Sequence, residues 1–387
     1  MFEQANRMQT LASAIFTQVD DLRKTEIAAG KDVITLSIGS PDMAPAPHIV
    51  EALKKSTNCC FNYGYTLSKG VPDLLDAISQ WYRKFDVELD PETEIHSLIG
   101  SQDGLAHIAL CLVNPGDVVL VPDPGYPIFS AGPLIAGAEL YRMPLIAANN
   151  YLPDLNTIEE SVLKRAKMMI LNYPNNPLAA TAPRSFLEQV VAFAKHYNIL
   201  VCYDFAYSDL VFDGYKPDSF LSIPGAKEIG IEFNSLSKTY NMAGCRVGYV
   251  VGNAKIISLL GRLKSNFDYG IFYPLQQAAI AALTGSQDCV RETVATYQKR
   301  RDIIVDGFNE FGWKVDRPKA SMYVWAPVPT KQSSFDFTVS LIQNTGVAVI
   351  PGSAFGTCGE GYVRIALVQP EGRLAEAVTR IRKWLKL

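Results

Sequence analysis

The chain has 387 residues, of which 48% are hydrophobic and 19% charged, and its formal net charge is −3. This balance indicates a globular protein with a sizeable core and argues against intrinsic disorder. No basic run suggests a nucleic-acid binder, and no apolar run reaches the roughly 18 residues that a membrane-spanning helix needs.

Cysteine and histidine usage gives no sign of disulfides or of a metal site. The seven cysteines are scattered, with Cys59 and Cys60 as the single adjacent pair, and the four histidines lack the spacing of metal ligands. The N-terminal segment, which includes Glu3, does not have the layout of a secretory signal. These features predict a cytoplasmic protein with reduced thiols and no metal.

Short apolar runs alternate with helix-length segments from about residue 95 onward. The segment 94–100 (EIHSLIG) precedes a helical stretch over 101–113, and the strand-like run 117–123 (DVVLVPD) follows. Further strand-like runs lie at 138–145, 168–174, 199–205, 231–237 and 246–252. Apolar strands that alternate with helices predict a mostly parallel sheet covered on both faces.

The C-terminal part has a different pattern. Helices are predicted over 287–311, where Gly312 ends the first of them, over 337–346 and over 371–386. Strand-like runs lie at 321–328, 347–352 and 361–368. The mixture predicts a smaller α+β domain, formed by residues 1–45 and 286–387, beside a large α/β domain over residues 46–285.

The segment 235–248 (SLSKTYNMAGCRVG) carries the most informative pattern. It follows a strand-like run and places Lys238 eight residues before Arg246, with Gly248 shortly after. A lysine amine at such a position can act as a nucleophile. Taken alone, the pattern is equally consistent with an exposed lysine before a glycine-rich turn.

Other motifs accompany this segment in a fixed order along the chain. They are Tyr65-Thr66 with Gly70, Pro124-Gly125-Tyr126-Pro127, Asn175-Asn176-Pro177, Tyr203-Asp204-Phe205-Ala206-Tyr207 and Gly361-Tyr362-Val363-Arg364. Together they resemble the motifs of fold-type I pyridoxal-phosphate aminotransferases of class I and II, and the resemblance spans residues 33–370. It implies an α/β fold with a three-layer large domain, whose mostly parallel sheet carries pyridoxal phosphate, plus the smaller α+β domain.

The resemblance implies a catalytic set. Lys238 would form a Schiff base with the cofactor aldehyde and move a proton, and nearby cations would favour its neutral amine. Asp204 would face the pyridine nitrogen, while Tyr207 and Asn176 would donate hydrogen bonds to the phenolate oxygen. From the residues alone, a strand-end turn cap, a core tyrosine and an Asx-turn asparagine remain open alternatives.

The same resemblance implies the cofactor-binding shell. Ser101 and Gln102 lie at the start of a predicted helix, where backbone amides can bind the phosphate. Ser235, Ser237 and Arg246 would complete the phosphate site, and Tyr126 would stack on the ring. Ser101 could also be a plain N-cap, and the segment around Tyr126 is also a good turn.

Two further implications concern the partner subunit and the substrate. In the family, the tyrosine that matches Tyr65 reaches the phosphate of the neighbouring subunit, which implies a homodimer with shared active sites; Tyr63 is an alternative. Arg364 matches the arginine that binds the substrate α-carboxylate in fork geometry. Gly39 and Asn176 would also contact the substrate.

One motif departs from the family. The usual N-P-T-G reads Asn176-Pro177-Leu178-Ala179 here. Because alanine lacks the conformational freedom of glycine, we expect the loop to sit differently while Asn176 keeps its cofactor contact.

Several phrases, among them GKDVITLSIGSPD and SNFDYGIF, resemble LL-diaminopimelate aminotransferases. That subgroup moves an amino group between LL-diaminopimelate and 2-oxoglutarate, although alanine- and glutamate-using subgroups share these phrases. Arg262, Lys264 and Asn266 lie in a region where they could bind a second acidic group of the substrate.

The resemblance predicts an aminotransferase that moves an amino group between an L-amino acid and a 2-oxo acid by ping-pong kinetics. A C–S lyase or a decarboxylase could use the same residues. A non-catalytic regulator that binds the cofactor is a further alternative, but retention of Lys238 and Asp204 argues against it, and the net charge argues against binding DNA.

Overall fold

The computed structural model describes residues 3–9, 11, 14–66 and 69–386. The strands are β1 Ile34–Thr35, β2 Ile95–Leu98, β3 Val118–Asp123, β4 Glu139–Pro144, β5 Ala166–Asn172, β6 Leu200–Asp204, β7 Gly230–Ser235, β8 Gly248–Gly252, β9 Tyr323–Pro327, β10 Val347–Ala348, β11 Ile350–Pro351 and β12 Tyr362–Ala366.

The helices are α1 Asn6–Gln9, α2 Ala14–Ala28, α3 Pro47–Thr57, α4 Pro72–Tyr82, α5 Ser101–Leu112, α6 Ile128–Ile135, α7 Glu160–Leu163, α8 Arg184–Tyr197, α9 Ala226–Ile229, α10 Leu236–Thr239, α11 Ala254–Lys264, α12 Tyr273–Thr284, α13 Asp288–Glu310, α14 Ser334–Thr345 and α15 Glu371–Leu385. Short 3-10 turns lie at Cys60–Tyr63, Arg83–Phe85, Ala147–Asn149, Leu155–Thr157, Phe220–Ser222, Ala243–Cys245, Gly352–Phe355 and Thr357–Gly359.

A seven-stranded sheet forms the centre of the molecule, with strand order β2-β8-β7-β6-β5-β3-β4. The strands from β7 to β4 run parallel, and β8 runs antiparallel to both of its neighbours. Along β3, Val118 and Leu120 pack into one apolar cluster, whereas Val119 and Val121 pack into another. The sheet is therefore covered on both faces, and the predicted α/β layered fold is confirmed.

The parallel strands bring polar side chains to one edge of this sheet. Strands β3, β5, β6 and β7 end at Asp123, Asn172, Asp204 and Ser235. Because parallel strands share a carboxyl edge, residues that are far apart in the sequence meet there.

The C-terminal elements build a smaller mixed structure. Strands β11, β12 and β9 form an antiparallel sheet, and β1 pairs in parallel with β10. The single strand predicted over 347–352 is wrong in detail. The chain changes partners at Val349, so that β10 and β11 belong to different sheets, and an apolar run by itself does not reveal its partners.

The N-terminal segment pairs with the C-terminal part. Ile34 N donates to Gly346 O, Leu36 N to Ala348 O, and Ala366 N to Leu36 O, all at 2.8 Å. The predicted boundary near residue 285 falls between α12 and α13. The domain limits 46–285, and 1–45 with 286–387, stay a prediction.

Two observations concern the surroundings of the protein. No helix in the described ranges is both long and apolar enough to cross a bilayer. All seven cysteines are free thiols.

Candidate active site

A cavity of about 600 Å³ lies at the carboxyl edge of the seven-stranded sheet, where the smaller structure covers it. Twelve of the thirteen predicted site residues line it: Gly39, Ser101, Gln102, Tyr126, Asn176, Asp204, Tyr207, Ser235, Ser237, Lys238, Arg246 and Arg364. The exception is Tyr65, which is 89% exposed and lies outside the cavity.

Lys238 lies in the short helix α10, directly after β7. Ser235 ends the strand and caps this helix by accepting a hydrogen bond from Ser237 N at 3.1 Å. The Lys238 ammonium donates to Gly39 O at 2.6 Å. Burial lowers the pKa of Lys238, and Arg364 and Arg246 lower it further. The predicted effect of nearby cations is present, but burial is the larger cause; both favour the neutral amine that can act as nucleophile or base.

Asp204 at the end of β6 is a buried carboxylate without an ionic partner in the described part of the chain. Its Oδ1 accepts a hydrogen bond from Ala206 N at 3.1 Å. Burial raises the pKa of Asp204 to about 7. A buried carboxylate needs a compensating cation, so the protonated ring nitrogen of pyridoxal phosphate fits this position.

Two glycines allow Arg246 and the first amides of α5 to approach each other closely. A Cβ on Gly100, whose φ is +77°, would lie 2.4 Å from the Arg246 guanidinium. A Cβ on Gly248 would lie 2.5 Å from Ser101 N. The guanidinium and the first helical amides therefore converge, and such an arrangement suits a dianion. Ser235 and Ser237 line the same cavity.

The donor set thus fits pyridoxal phosphate at both of its charged ends. When bound, the cofactor supplies an aldehyde that links to a lysine and a ring that withdraws electrons from the substrate. The chain itself supplies a partly buried amine, a buried carboxylate and an anion cradle in one cavity.

Arg364 lies in β12 and is 4% exposed. Its Nη1 donates to Asn176 Oδ1 at 2.9 Å and its Nη2 to Ser37 O at 2.8 Å, whereas its buried Nε has no partner in the described residues. The guanidinium lies 4.3 Å from the Tyr323 ring centroid and 4.8 Å from that of Phe355. This fixed, incompletely bonded fork can bind a carboxylate.

The aromatic residues of the cavity hold one another in place. Tyr126 donates to Gln102 Oε1 at 3.1 Å, so Gln102 orients the ring that we expect to stack on the cofactor. The hydroxyls of Tyr207 and Tyr323 lie 3.3 Å apart. Burial raises the pKa of Tyr207; burial also opposes ionisation of Tyr323, but Arg364 and Lys238 outweigh it and lower the pKa of Tyr323.

Sequence reasoning missed Tyr323 and one whole wall of the cavity. Phe16, Val19 and Asp20 of α2 line that wall. Val19 and Asp20 lie three and four residues after Phe16, so all three residues share one helix face. This spacing was the sequence signal that could have identified the wall. Tyr323 had no comparable signal, because its position depends on how β9 pairs with β12.

The structure overturns the idea that Arg262, Lys264 and Asn266 bind the substrate in the same subunit. None of the three lines the cavity, and Arg262 and Asn266 are exposed. Lys264 is completely buried, and its ammonium contacts Asp103 and Asp268. Arg262 and Lys264 belong to α11 and Asn266 follows this helix, which contributes no residue to the cavity lining.

The departure at Leu178 and Ala179 leaves Asn176 in the cavity wall. Ala179 adopts the left-handed conformation, with φ +55°, that glycine would take without strain. Asn175 supports this turn by accepting a hydrogen bond from Ala179 N on its carbonyl and from Leu178 N on its side chain, both at 3.0 Å.

Comparison with known proteins gives a consistent picture. Residues 31–381 match the family described as aminotransferase class I and II. Two curated relatives are LL-diaminopimelate aminotransferases, from Desulforudis audaxviator (49% identical, covering 98% of this chain and 97% of the relative) and Moorella thermoacetica (47%, covering 99% and 98%). The substrate-bound structure of BacF from Bacillus subtilis is similar, with a TM-score of 0.95 and 40% identity over 99% of this chain and 98% of BacF.

Proposed function

Because the chain belongs to the class I and II aminotransferase family, it is an enzyme that uses pyridoxal phosphate to move an amino group from an amino acid to a 2-oxo acid, and we propose that its amino donor is LL-diaminopimelate and its acceptor 2-oxoglutarate. The names of the two curated relatives support this substrate pair. The single observation that supports this location for the reaction is one cavity that brings Lys238, Asp204 and Arg364 together.

We assign the roles of the site residues as follows. Lys238 binds the cofactor and moves the proton of the substrate α-carbon, because its burial favours the neutral amine. Asp204 holds the ring nitrogen protonated, and Tyr207 with Asn176 orients the ring. Arg246 and the start of α5 bind the phosphate, with Ser101, Gln102, Ser235 and Ser237. Tyr126 stacks on the ring.

Arg364 anchors the α-carboxylate of the substrate in this proposal, helped by the nearby backbone of Gly39. The side chain of the substrate then extends toward the wall formed by α2. Asp20 is the charged residue on that wall, and its side chain is about one-third exposed. It accepts hydrogen bonds from Arg23 at 2.8 and 3.0 Å and pairs with Lys24 at 2.6 Å. A carboxylate keeps acceptor capacity beyond these bonds, so Asp20 suits a distal ammonium such as that of LL-diaminopimelate.

We also propose a homodimer in which Tyr65 completes the partner's phosphate site. Two segments, 61–65 and 267–272, meet through the ring pairs Tyr65–Tyr269 and Tyr63–Phe272. They carry further exposed aromatic side chains, namely Phe61, Tyr63, Phe267, Tyr269 and Phe272. A cluster of this kind marks a surface that another chain covers. The Tyr63 hydroxyl donates to Thr57 O at 2.9 Å, whereas Tyr65 is 89% exposed, so Tyr65 is the better candidate of the two.

Seven free cysteines favour a cytoplasmic location.

A donor panel with 2-oxoglutarate tests the proposed reaction. LL-diaminopimelate, lysine, alanine, aspartate and cysteine are each incubated with the enzyme, and glutamate and the new oxo acid are measured together. We expect equal amounts of both products, with the highest kcat/KM for LL-diaminopimelate. Ammonia and pyruvate released from cysteine without glutamate would instead identify a lyase, and a higher kcat/KM for another donor would overturn the proposed substrate.

A further inference from the structure

Lys264, at the end of α11, is a completely buried cation outside the catalytic cavity. Its ammonium hydrogen-bonds to Asp268 Oδ2 at 2.7 Å and to Asp103 Oδ2. Fully buried lysines are rare, because a desolvated ammonium is costly unless it is paired. Lys264 thus joins two segments that are 165 residues apart in the chain, the start of α5 and the loop after α11.

The first of these segments carries the phosphate cradle. Asp103 lies two residues after Ser101, and its Oδ2 accepts a hydrogen bond from Ile99 N at 3.0 Å while its Oδ1 contacts His107 Nδ1 at 2.8 Å. Burial opposes ionisation here, but the bonds with His107 and Lys264 lower the pKa of Asp103 to about 2. An ionised Asp103 therefore fixes the turn that aims the first amides of α5.

The second segment leads to Tyr65. Asp268 Oδ1 accepts a hydrogen bond from Gly270 N at 2.8 Å, which shapes the loop 268–271. Two carbonyls of this loop, those of Tyr269 and Ile271, accept bonds from Thr66 Oγ1 at 3.0 and 2.8 Å. The rings of Tyr65 and Tyr269 lie 4.7 Å apart. The conformation of the loop therefore determines where Tyr65 is presented.

We propose that Lys264 is a positioning residue for two of the phosphate contacts that one subunit makes: the helix start in its own site and Tyr65 in the site of its partner. The inference rests on the proposed homodimer. Without Lys264, two carboxylates would face each other without the cation between them, and the cradle and the loop would separate. One buried ammonium would thus link cofactor binding in the two sites of the dimer.

The first test compares cofactors with and without a phosphate. The affinity of the Lys264→Met apoenzyme for pyridoxal phosphate and for pyridoxal is measured by tryptophan fluorescence, beside Lys255→Met, an exposed position on the same helix. We expect the affinity for pyridoxal phosphate to fall about tenfold and that for pyridoxal to stay within about twofold. Equal losses for both ligands would overturn the proposal, because a general loosening of the fold weakens pyridoxal phosphate and pyridoxal binding alike. An unchanged affinity for pyridoxal phosphate would overturn it as well.

A milder variant covers the case in which Lys264→Met does not fold. Asp268→Asn keeps the bond between Lys264 and Asp103, and its amide oxygen can still accept from Gly270 N, but it removes the charged oxygen that pairs with Lys264. We expect it to weaken pyridoxal phosphate binding about threefold and pyridoxal binding not at all. An unchanged affinity for pyridoxal phosphate would contradict the proposed connection to Tyr65.

Mixed dimers test the effect across the interface. One subunit carries Lys238→Ala with Lys264→Met, and the other is wild type, so the remaining intact site receives Tyr65 from the altered subunit. We expect its affinity for pyridoxal phosphate to be about fivefold lower than in a mixed dimer that carries Lys238→Ala alone. Equal affinities would overturn the effect in the partner's site.

Tyr65→Phe separates this inference from the dimer on which it rests. If Tyr65→Phe lowers the affinity for pyridoxal phosphate and Lys264→Met does not, the role of Lys264 is wrong while the shared site stands. If Tyr65→Phe has no effect, the shared site itself is wrong, and the role of Lys264 in the partner's site is wrong with it.

Discussion

The two halves of the cavity are formed by different kinds of secondary-structure element. The half that we propose to bind the cofactor, called the cofactor half below, contains Ser101, Asp204, Ser235, Lys238 and Arg246, on or beside the strand ends of a sheet that is buried on both faces. The half that we propose to face the substrate side chain, called the side-chain half below, contains Phe16, Val19, Asp20, Ile38 and Ile350, which belong to α2, to a connecting segment and to a two-residue strand. A rigid half can hold the chemistry constant while the other half changes with the substrate.

The difference predicts a gradient of mutational effects. Changes in the cofactor half should abolish the reaction for every donor. Changes in the side-chain half should alter the choice of donor and leave the cofactor bound.

The largest effect is expected for Lys238→Ala. Because we propose that this amine is both the attachment point of the cofactor and the proton carrier, turnover should fall by about 10⁴-fold or more with every donor. The initial rate of glutamate formation measures this, with Lys255→Ala as the control. A variant that keeps a tenth of normal turnover would show that the catalytic amine lies elsewhere.

The next largest effect is expected for Asp204→Asn. An amide cannot balance a protonated ring nitrogen, so turnover should fall by about 10² to 10³-fold with every donor. In the absence of cofactor, by contrast, the same substitution should increase the stability of the folded protein. The pKa of Asp204 in the fold, about 7, exceeds its ordinary value of 3.8, so the wild-type apoprotein loses stability as the pH rises through this interval.

Urea unfolding of the apoproteins at pH 5 and pH 8 measures that reversal. We expect Asp204→Asn to be more stable than wild type at pH 8 by on the order of 2 to 4 kcal/mol, with a smaller difference at pH 5. Glu232 also has its pKa raised by burial to about 7, but it is present in both proteins and cancels in the difference. A variant that is less stable at pH 8 would contradict the assignment of Asp204 as an uncompensated carboxylate.

Arg364→Lys lies at the junction of the two halves. Lysine keeps the charge but loses the fork that contacts Asn176 and Ser37, so we expect kcat/KM to fall about 100-fold, mostly through KM, for all donors. Steady-state kinetics with two donors of different length checks this. A loss confined to one donor would place Arg364 at the substrate side chain instead.

Asp20→Asn should have a smaller and selective effect. Removing the charge should lower kcat/KM about 5- to 10-fold for LL-diaminopimelate and lysine, which carry a distal ammonium, and leave norleucine unchanged. Asp21→Asn is the matched control, because Asp21 is the adjacent residue of α2, is mostly exposed and does not line the cavity. Equal losses for lysine and norleucine would show that Asp20 does not contact the distal group.

The smallest effect is expected for Ala179→Gly. Ala179 has a positive φ, which costs an alanine about 1 kcal/mol, so glycine would relieve this strain. The greater conformational entropy of glycine in the unfolded chain offsets part of that stabilisation. We expect a stabilisation of about 0.5 kcal/mol in urea unfolding, with kcat/KM within twofold of wild type. A destabilised variant would show that the left-handed turn is not strained.

The cofactor half could be predicted because its residues belong to local motifs. Lys238 and Arg246 lie in one short segment, and Asp204 and Tyr207 in another, so the family pattern identifies them without knowledge of the tertiary structure. The strand pattern also predicted the layered sheet, whose parallel strands bring Asp204 and Ser235 to one edge.

The side-chain half could not be predicted to the same extent, since it depends on long-range packing. Tyr323 reaches Arg364 only through the register of β9 and β12, and Asp20 reaches the cavity only because α2 packs over it. The suggestion that Lys264 binds substrate was wrong for the same reason. Position in the sequence did not reveal that α11 turns this ammonium toward Asp103 and Asp268.

The visible absorption spectrum of the purified protein, recorded before and after each amino donor, tests the central claim most directly. The account predicts a yellow band that requires Lys238 and Asp204 and that LL-diaminopimelate and glutamate convert to an ultraviolet-absorbing form in the absence of any oxo acid. A protein that shows no visible band even with added pyridoxal phosphate would contradict the assignment of this cavity as the cofactor site.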